Sequence, residues 1–492
     1  MTLTTLLIYI GIAALILTGI IGGVLKAQKS WPMTFMQSFC GALFLFSGWV
    51  KAVDPLGTAY KMEQYFGEFE STFADTWMSF LAPMFPFLSE YAIGFSVFMI
   101  VFEIVLGVML LMGTSPKFTS WAFLLLVGFF TFLTGFTYLT GYVPQGVNFF
   151  EFGKWGPYVE TNMKVTDCGC FGDFLKLKPK ISFFKDIFLM FPAVYFVLRM
   201  KDMHQLATPR IRQAATALTT VGIFIYCLSN YVWDLPHEDF RPFKEGNDIA
   251  AIKAAEEEAA ANVKILSYQL TNKGTGEVVD LPYDQFLKKY KDYPKEEWDY
   301  EQIKSEPAIP PSKISDFSIT DVEGNEVTED ILSDPNYHFM IVCYKYYYDT
   351  QAGTKTIRDS IFVSDTIPSA DTFQVVQRLE KVNTMEVQED QYVFDTDYLK
   401  IFEEKINPLA SAAEKSGYNV YGVVGGAGEA IIDDFRHASQ SAYPYYEADD
   451  ILLKTIIRSN PGVVLWKDGK IIAKWHHSKL PSFAEIQQIA MK

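Results

Sequence analysis

Cysteine is scarce in this chain, and so are histidine and clusters of positive charge. Five cysteines in 492 residues exclude a small scaffold held together by disulfides. No block of Lys and Arg appears, and phosphate binding needs local basic surface, so nucleic acid is excluded as a partner. Two of the six histidines are adjacent, His476 and His477. Adjacent side chains on a strand point to opposite faces, so we expect no metal site there.

The charged residues that are present are unevenly distributed. The first 230 residues carry 15 basic and 13 acidic side chains, a net charge of +2. The remainder carries 27 and 45, a net charge of −18. Hydrophobic residues make up 49% of the chain, and most long apolar runs fall in its first half. The sequence therefore predicts a nearly neutral, apolar half followed by an acidic, soluble half.

Six apolar stretches in the first half are each about 20 residues long, the length that a helix needs to cross a bilayer. We place these predicted spans at 4–25, 33–53, 91–112, 118–140, 182–199 and 213–232. The fifth is the weakest, because Lys185 and Asp186 shorten its apolar run. The fold class predicted for this half is a polytopic α-helical membrane bundle, residues 1–232.

Basic residues are concentrated in three short loops, 26–32, 113–117 and 200–212. Such density marks the cytoplasmic side of membrane proteins. We therefore expect the loops 54–90 and 141–181, and everything after residue 232, to lie outside. In a Gram-negative cell this describes a multi-pass inner-membrane protein in contact with lipid, with its carboxy-terminal domain in the periplasm.

The first outer loop carries an aromatic stripe at spacings of three and four: Phe66, Phe69, Phe73, Trp77, Phe80 and Met84. This spacing predicts an amphipathic helix. Two interpretations remain open, a helix lying at the membrane interface and a lid packed on the bundle.

The second half begins with a predicted stalk and small adaptor, residues 233–312, which ends in a proline-punctuated linker. Residues 313–492 follow the order β-β-α-β-α-β-β-α, which predicts a mixed sheet with helices on both faces. We expect Val342 and Val423 to lie in adjacent buried strands. The turn at residues 467–469, Lys-Asp-Gly, should close a hairpin.

This second half resembles the thioredoxin-like fold in its DFSITDVEGNEV segment, its element order and the Asn460-Pro461 before the last hairpin. In that family the strand similar to HFMIVCYK leads into a Cys-x-x-Cys. Here residues 346–349 read Tyr-Tyr-Tyr-Asp, and only Cys343, inside the strand, is near. We expect Cys343 to be a buried structural thiol. The domain would then bind a partner without a dithiol cycle of its own.

The candidates for redox chemistry are Cys168 and Cys170, in the motif Asp-Cys-Gly-Cys-Phe-Gly-Asp of the second outer loop. An outward dithiol faces an oxidising compartment, and the small ring that it closes is strained and labile. Cys227 is expected near the outer end of the sixth span, at a depth where it could accept electrons. Cys40 is expected in the cytoplasmic half of the bundle, where we interpret it as packing.

Glu103 is an acidic residue near the middle of the third span. Exposing a carboxylate to lipid costs free energy, so Glu103 should face the bundle interior and contact a polar partner. Lys51 is a candidate partner, although it could equally snorkel outward. A structural polar contact and a role in proton or quinone chemistry both remain open for Glu103.

Three elements together resemble the DoxX/MauE group of membrane proteins, which are four-helix bundles distantly similar to the vitamin K epoxide reductase type. They are FSGWVKAVDP at residues 46–55, Glu103, and DCGCFG at residues 167–172, and the similarity covers roughly residues 33–200. With its thioredoxin-like part, the whole chain resembles DoxX proteins with a carboxy-terminal extension found in the Bacteroidetes. The resemblance implies periplasmic redox or disulfide chemistry, with a membrane quinone as electron acceptor. The chain departs from it in having Cys-x-Cys where the reductase type has Cys-x-x-Cys.

Two functional hypotheses follow. In the first, the protein is a membrane oxidoreductase in which Cys168 and Cys170 exchange disulfides with a periplasmic client, and Cys227 or a quinone takes the electrons. In the second, the protein is not an enzyme, and the bundle anchors a degenerate thioredoxin-like domain that binds another protein of the envelope.

Overall fold

The computed structural model describes residues 2–165, 169–369 and 372–491. The chain divides into two compact units, Met1–Arg241 and Pro242–Lys492. Each unit has its own hydrophobic core.

The first unit is helical. Its helices in the described residues are α1 (Leu3–Gly19), α2 (Trp31–Val53), α3 (Pro55–Ala74), α4 (Met84–Glu90), α5 (Ala92–Met112), α6 (Pro116–Thr140), α7 (Pro179–Leu198) and α8 (Pro209–Leu228). Helices α1 and α8 each continue through one π-helical turn, Ile20–Val24 and Ser229–Trp233. Proline occupies the first turn of α3, α6, α7 and α8, where its missing N–H costs nothing, and this fixes where these helices begin.

The six predicted spans are confirmed as helices long and apolar enough to cross a membrane. They are Leu3–Val24, Trp31–Val53, Ala92–Met112, Pro116–Thr140, Pro179–Leu198 and Pro209–Trp233. Four of them begin two to four residues before the predicted start, at Trp31-Pro32, Pro116, Pro179 and Pro209, because the sequence prediction counted apolar residues and gave no weight to the proline signal.

Hydrogen bonds connect the loops at each end of the bundle. At one end Lys29 donates to the carbonyl oxygen of Lys201 at 3.2 Å, and the backbone N–H of His204 donates to Gln37 at 2.9 Å. At the other end the amide of Asn148 donates to the carbonyl oxygen of Thr72 at 2.9 Å. The loops predicted for opposite sides of the membrane therefore lie at opposite ends of the bundle.

The aromatic stripe of the first outer loop divides into two parts. Phe69 is buried and its ring centroid lies 4.9 Å from that of Phe136 on α6, so α3 packs on the bundle as a lid. Trp77 and Phe80, which follow α3, are 84% and 72% exposed. The lid interpretation therefore holds for α3, whereas Trp77 and Phe80, which follow it, are exposed.

The second unit contains two β-sheets and a β-ribbon. Its strands are β1 (Ile265–Asn272), β2 (Val278–Pro282), β3 (Trp298–Lys304), β4 (Ile319–Thr320), β5 (His338–Cys343), β6 (Tyr348–Ser369), β7 (Thr372–Phe394), β8 (Asn419–Gly425), β9 (Tyr445–Ala448), β10 (Gly462–Lys467) and β11 (Lys470–His476). Its helices are α9 (Ile249–Ala261), α10 (Tyr283–Lys289), α11 (Thr328–Ser333), α12 (Thr396–Ile401), α13 (Asn407–Lys415), α14 (Glu429–Ser439), α15 (Asp450–Ile456) and α16 (Phe483–Ile489).

The larger sheet has the strand order β11-β10-β5-β8-β9-β4. Strands β5, β8 and β9 run parallel, and β4, β10 and β11 pair antiparallel with their neighbours. Val342 pairs with Val423, so the predicted adjacency of these buried strands is confirmed. The predicted hairpin is confirmed too, because Asp468 and Gly469 both have positive φ, as a two-residue turn of this kind requires.

One face of this sheet packs against α12, α13, α14 and α16, and the opposite face carries Trp466, which stacks on Phe317 with centroids 5.9 Å apart. Helix α14 and strand β9, which lie between β8 and α15 in the chain, were not predicted. The peptide bond Asn460-Pro461, just before β10, is cis.

Strands β6 and β7, which lie between β5 and α12 in the chain, form a two-stranded antiparallel ribbon. They are 22 and 23 residues long, so the ribbon extends about 70 Å at 3.3 Å per residue. Its base is fixed to the large sheet's core, where Phe394 packs edge-on against Phe435 with centroids 5.1 Å apart.

The segment predicted as a stalk and adaptor, residues 233–312, begins in the first unit and continues into the second. Helix α9 packs on the large sheet, since the N–H of Ile249 donates to the carbonyl oxygen of Gly469 at 2.8 Å. Strands β1, β2 and β3 form a separate small sheet in the order β2-β1-β3. Residues 249–261 are therefore part of the large sheet's body, and the adaptor is a small sheet with α10 packed on it.

Candidate functional site

Helices α2 and α5 approach closely because glycines face each other across their contact. A Cβ at Gly48 would lie 2.4 Å from Cγ1 of Ile104, and one at Gly41 would lie 3.0 Å from the carbonyl oxygen of Gly107. Small residues allow this close approach between spanning helices. The approach brings the polar side chains of α2 and α5 within direct contact.

The first of these contacts joins Lys51 and Glu103. The Nζ atom of Lys51 lies 2.7 Å from a carboxylate oxygen of Glu103, and the two side chains are 7% and 3% exposed. The ammonium group also lies 4.9 Å from the centre of the Phe130 ring, on the side that favours a cation. The structure therefore turns Lys51 inward onto Glu103, and the alternative of outward snorkelling is wrong.

A second buried ion pair was not predicted. Lys185 and Asp186 on α7 form it, and the hydroxyl of Thr134 on α6 donates to the second carboxylate oxygen of Asp186 at 3.0 Å. The Asp186 side chain is only 2% exposed. In the sequence these two residues counted only as a weakness of the fifth span. An acidic residue inside an apolar helix was nevertheless a sufficient signal for a functional candidate.

Gly169 and Cys170 are the described part of the Cys-Gly-Cys motif, and Cys170 lies beside the two ion pairs. Cys168 lies outside the described residues. Cys170 and Phe171 are the central residues of a turn closed by a hydrogen bond from the N–H of Gly172 to the carbonyl oxygen of Gly169, 3.1 Å. Both glycines have positive φ, 62° and 50°, which side chains disfavour. The glycines of the motif are thus required by the turn that presents Cys170.

Two contacts fix this turn to the bundle. Phe171 is 2% exposed and belongs to the apolar core of the helices. The hydroxyl of Ser47 donates to the carbonyl oxygen of Cys170 at 2.8 Å. Since Ser47 precedes Lys51 by one helical turn, both side chains lie on the same face of α2.

These groups line one cavity of about 20 Å³. Apolar side chains form most of its wall, and six of its twelve lining residues carry polar or charged groups: Ser47, Lys51, Glu103, Cys170, Lys185 and Asp186. A volume of this size holds about one water molecule. The structure therefore brings together three of the predicted site residues, Lys51, Glu103 and Cys170, and adds the second ion pair to them.

A quinone, the cofactor that the resemblance implies, does not fit this site. Its ring is far larger than a cavity of about 20 Å³ that accommodates one water. The bulky residues Phe44, Phe130 and Phe171 close the space around the two ion pairs. We therefore derive no step through a quinone.

Cys227, the predicted electron acceptor, is fully buried in a different cluster with Ala52, Val97, Ile100 and Ile104. The amide of Asn230, three residues after Cys227, donates to the carbonyl oxygen of Ala52 at 3.0 Å, so Cys227 lies near the level of the carboxy-terminal end of α2. It is enclosed by apolar side chains, a setting typical of a packing residue.

The other two cysteines are also enclosed. Cys40 is 1% exposed within the apolar core of the bundle. Cys343 is 1% exposed in β5, and burial raises the pKa of its thiol to about 12. Both placements agree with structural roles, and a thiol with such a pKa is a poor nucleophile at neutral pH.

One aspartate of the motif, Asp173, has a cation beside it. Asp173 lies 3.5 Å from Lys176. The alkyl stem of Lys61 on α3 packs on the motif, because its Cγ atom lies 3.2 Å from the position that a Cβ at Gly169 would take, while its ammonium group donates to Gln64 at 2.8 Å. A neighbouring cation favours the thiolate form of a cysteine.

Metal chemistry finds no support in the described part of the chain, which contains no group of three or more His, Cys, Asp or Glu side chains placed to hold an ion. His477 instead makes a hydrogen bond of 3.1 Å with the hydroxyl of Ser459. His476 accepts one from the N–H of Ser478.

Comparison of the chain with family models, with curated proteins and with solved structures gives no match.

Proposed function

We propose that this protein is a membrane-anchored thiol-disulfide exchange protein in which Cys168 and Cys170 are the redox pair. The observation that carries the proposal is that Cys170 and two buried ion pairs line the same cavity at one end of a bundle of apolar helices. Buried charges at membrane depth are costly and mark functional sites more often than structural ones.

The reaction is a two-step exchange with a dithiol client. One client thiolate attacks the Cys168–Cys170 disulfide, which forms a mixed disulfide and releases one protein thiolate. The second client thiolate then attacks the mixed disulfide, which leaves an oxidised client and a reduced Cys168/Cys170 pair. Two electrons and two protons pass from the client to the pair, and exchange with a second, disulfide-bearing partner returns it to the oxidised form.

The ion pairs suit the charges that this reaction creates. Each attack releases a thiolate, and the ammonium groups of Lys51 and Lys185 line the cavity beside Cys170. Glu103 and Asp186 neutralise these cations when no thiolate is present. They are also the carboxylates that can pass a proton through the one water that the cavity accommodates.

We propose in addition that the chain has a DoxX-like core and a thioredoxin-like domain, and that the domain lies in the periplasm. A DoxX-like core accounts for the FSGWVKAVDP and DCGCFG segments, and residues 313–492 fit a thioredoxin-like domain in which β5, β8 and β10 are central strands. Basic residues in the loops at the opposite end of the bundle favour a periplasmic position for the Cys-Gly-Cys loop and for the second unit.

A second candidate function is supported by a different observation. The chain beyond β5 carries Tyr346 and Tyr347 and then the long ribbon in place of a dithiol, and Tyr346 packs on Phe435 with centroids 4.2 Å apart. In this second function, the second unit binds a partner in the envelope, and the protein anchors that partner without performing redox chemistry.

Trapping of mixed disulfides separates the two functions. Cys168→Ser and Cys170→Ser each leave one thiol of the pair, and exchange predicts that one of these variants accumulates a covalent adduct with a client that reductant releases. Cys227→Ser, with the pair intact, is the matched control and should trap nothing. Absence of adducts in both variants, with retained non-covalent co-purification of a partner, would favour the anchoring function.

A further inference from the structure

We propose that residues 76–89, the segment after α3, form a membrane-surface anchor that lies in the lipid headgroup layer. These 14 residues, TWMSFLAPMFPFLS, contain no charged side chain, although Asp75 and Glu90 stand at their two ends. Three of the large apolar side chains are 84%, 72% and 59% exposed, those of Trp77, Phe80 and Phe87. The ligand that we assign to this surface is the bilayer itself.

The segment is ordered by its own contacts, so its exposed side chains are held outward. Phe85 is buried, and its ring centroid lies 5.6 Å from those of both Phe69 and Phe73 on α3. A short 3-10 turn at Ser79–Leu81 and helix α4 shape the rest. The exposed aromatics are therefore a fixed feature of the fold.

The position of the segment identifies lipid as its partner. Helix α4 ends at Glu90, and only Tyr91 separates it from α5, which is one of the spanning helices. The exposed side chains continue along that span, since Phe87 and Tyr91 are followed by exposed Phe95 and Phe98 at helical spacing. The surface of the segment thus passes without a break into the lipid-facing surface of α5.

The chemistry of the segment also fits the headgroup layer. Tryptophan concentrates at the boundary between hydrocarbon and water, and segments that lie in this layer carry Trp, Phe and Leu on their apolar face. Without basic residues the segment has nothing to attract anionic lipid, so its insertion should be governed by apolar area and be insensitive to lipid charge. In that position the segment would hold α3 down over the outer end of the bundle.

Two serines provide a matched pair of probes. Ser79 is exposed within the segment, whereas Ser71 is exposed on α3, where it borders a polar cleft with Glu68 and Asp75. Ser79→Cys and Ser71→Cys are placed in the full-length chain in phosphatidylcholine nanodiscs. Each is labelled with a charged, water-restricted maleimide and with an uncharged, lipid-permeant one, and labelling is measured on the individual peptides by mass spectrometry.

Lipid immersion predicts that the ratio of charged to uncharged labelling is about tenfold lower at Ser79→Cys than at Ser71→Cys. The same difference is expected when phosphatidylglycerol replaces part of the lipid. Equal ratios at the two positions would show that the segment lies in water and would overturn the proposal. Slow labelling of Ser79→Cys by both reagents would show that protein covers the segment, which would overturn it as well.

Discussion

Lys51 and Glu103 meet at 2.7 Å inside a bundle of apolar helices, one helical turn beyond the serine that binds the backbone of Cys170. The two residues come from different spans and are separated by 51 intervening positions in the sequence. Their contact links the packing of α2 on α5 to the loop that carries the cysteines.

Removal of one partner of the Lys51–Glu103 pair should be more harmful than removal of both. Glu103→Gln leaves a buried ammonium group without its carboxylate, and we expect a loss of about 3–5 kcal/mol in stability. The double variant Lys51→Met/Glu103→Leu should recover most of it, because it buries no charge. Thermal unfolding in detergent of the parent protein, Lys51→Met, Glu103→Leu and the double variant measures the coupling, and Glu103→Gln is measured beside them. Additive losses would mean that the pair does not act as a unit.

Close packing of α2 on α5 depends on Gly48. In Gly48→Ala the new methyl group meets Cγ1 of Ile104, and we expect a destabilisation of about 1–3 kcal/mol from overpacking. Gly128→Ala on α6 is the matched control, since a Cβ there meets nothing within 4 Å. The control should be neutral or slightly stabilising in the same unfolding assay. Equal effects of the two substitutions would contradict the close approach of the helices.

Acid should destabilise the second unit through His338. Burial lowers the pKa of His338, although Asp334 and the carbonyl of Asn336 oppose the shift. The unfolded chain therefore takes up a proton at a higher pH than the folded chain does. The stability that this histidine contributes to the folded state is complete at pH values above about 6.5, the pKa of histidine in the unfolded chain. It is lost as the pH falls below that value.

His338→Gln should flatten the fall in unfolding temperature between pH 7.5 and pH 5, a range set around the unfolded histidine pKa of about 6.5. The matched control is His437→Gln, since the His437 side chain is 78% exposed on α14. The control should keep the pH dependence of the parent protein. An unchanged slope in His338→Gln would show that other groups cause the loss in acid.

The long ribbon should be dispensable for the fold of the second unit. Thr350 pairs with Tyr392 near its base, so a two-residue Asn-Gly turn can replace residues 351–391 and keep the register. Because Phe394 and Tyr346 remain packed on Phe435, we expect the large sheet to lose less than about 2 kcal/mol. Limited proteolysis and thermal unfolding check this, and failure of the shortened chain to fold would contradict it.

The sequence predicted correctly those helices and strands that are marked by a continuous apolar run. Long apolar runs identified the spans, and the continuous apolar run around Val342 identified a central strand. Helix α14 was missed because its buried side chains, Ile432, Phe435 and Ser439, are few among charged neighbours. Strand β9 was missed because it has only four residues.

The ribbon and the second ion pair were missed for two other reasons. Neither strand of a two-stranded ribbon needs a continuous core face, so β6 and β7 lack the alternation that marks a strand packed on a core. For Lys185 and Asp186, the hydropathy averaged over the fifth span registers the two charges only as a lower value. Only the packing of α6 on α7, which places Thr134 beside Asp186, reveals that they lie inside.

The central claim is that Cys168 and Cys170 cycle between disulfide and dithiol, and their redox state in the native membrane tests it most directly. Cells are quenched in acid, membranes are denatured in detergent with an alkylating reagent, and each cysteine is quantified with and without prior reduction. Cys40, Cys227 and Cys343 are free thiols and serve as internal controls that label in both samples. The account predicts that a large fraction of Cys168 and Cys170 labels only after reduction. Equal labelling of all five cysteines in both samples would contradict it.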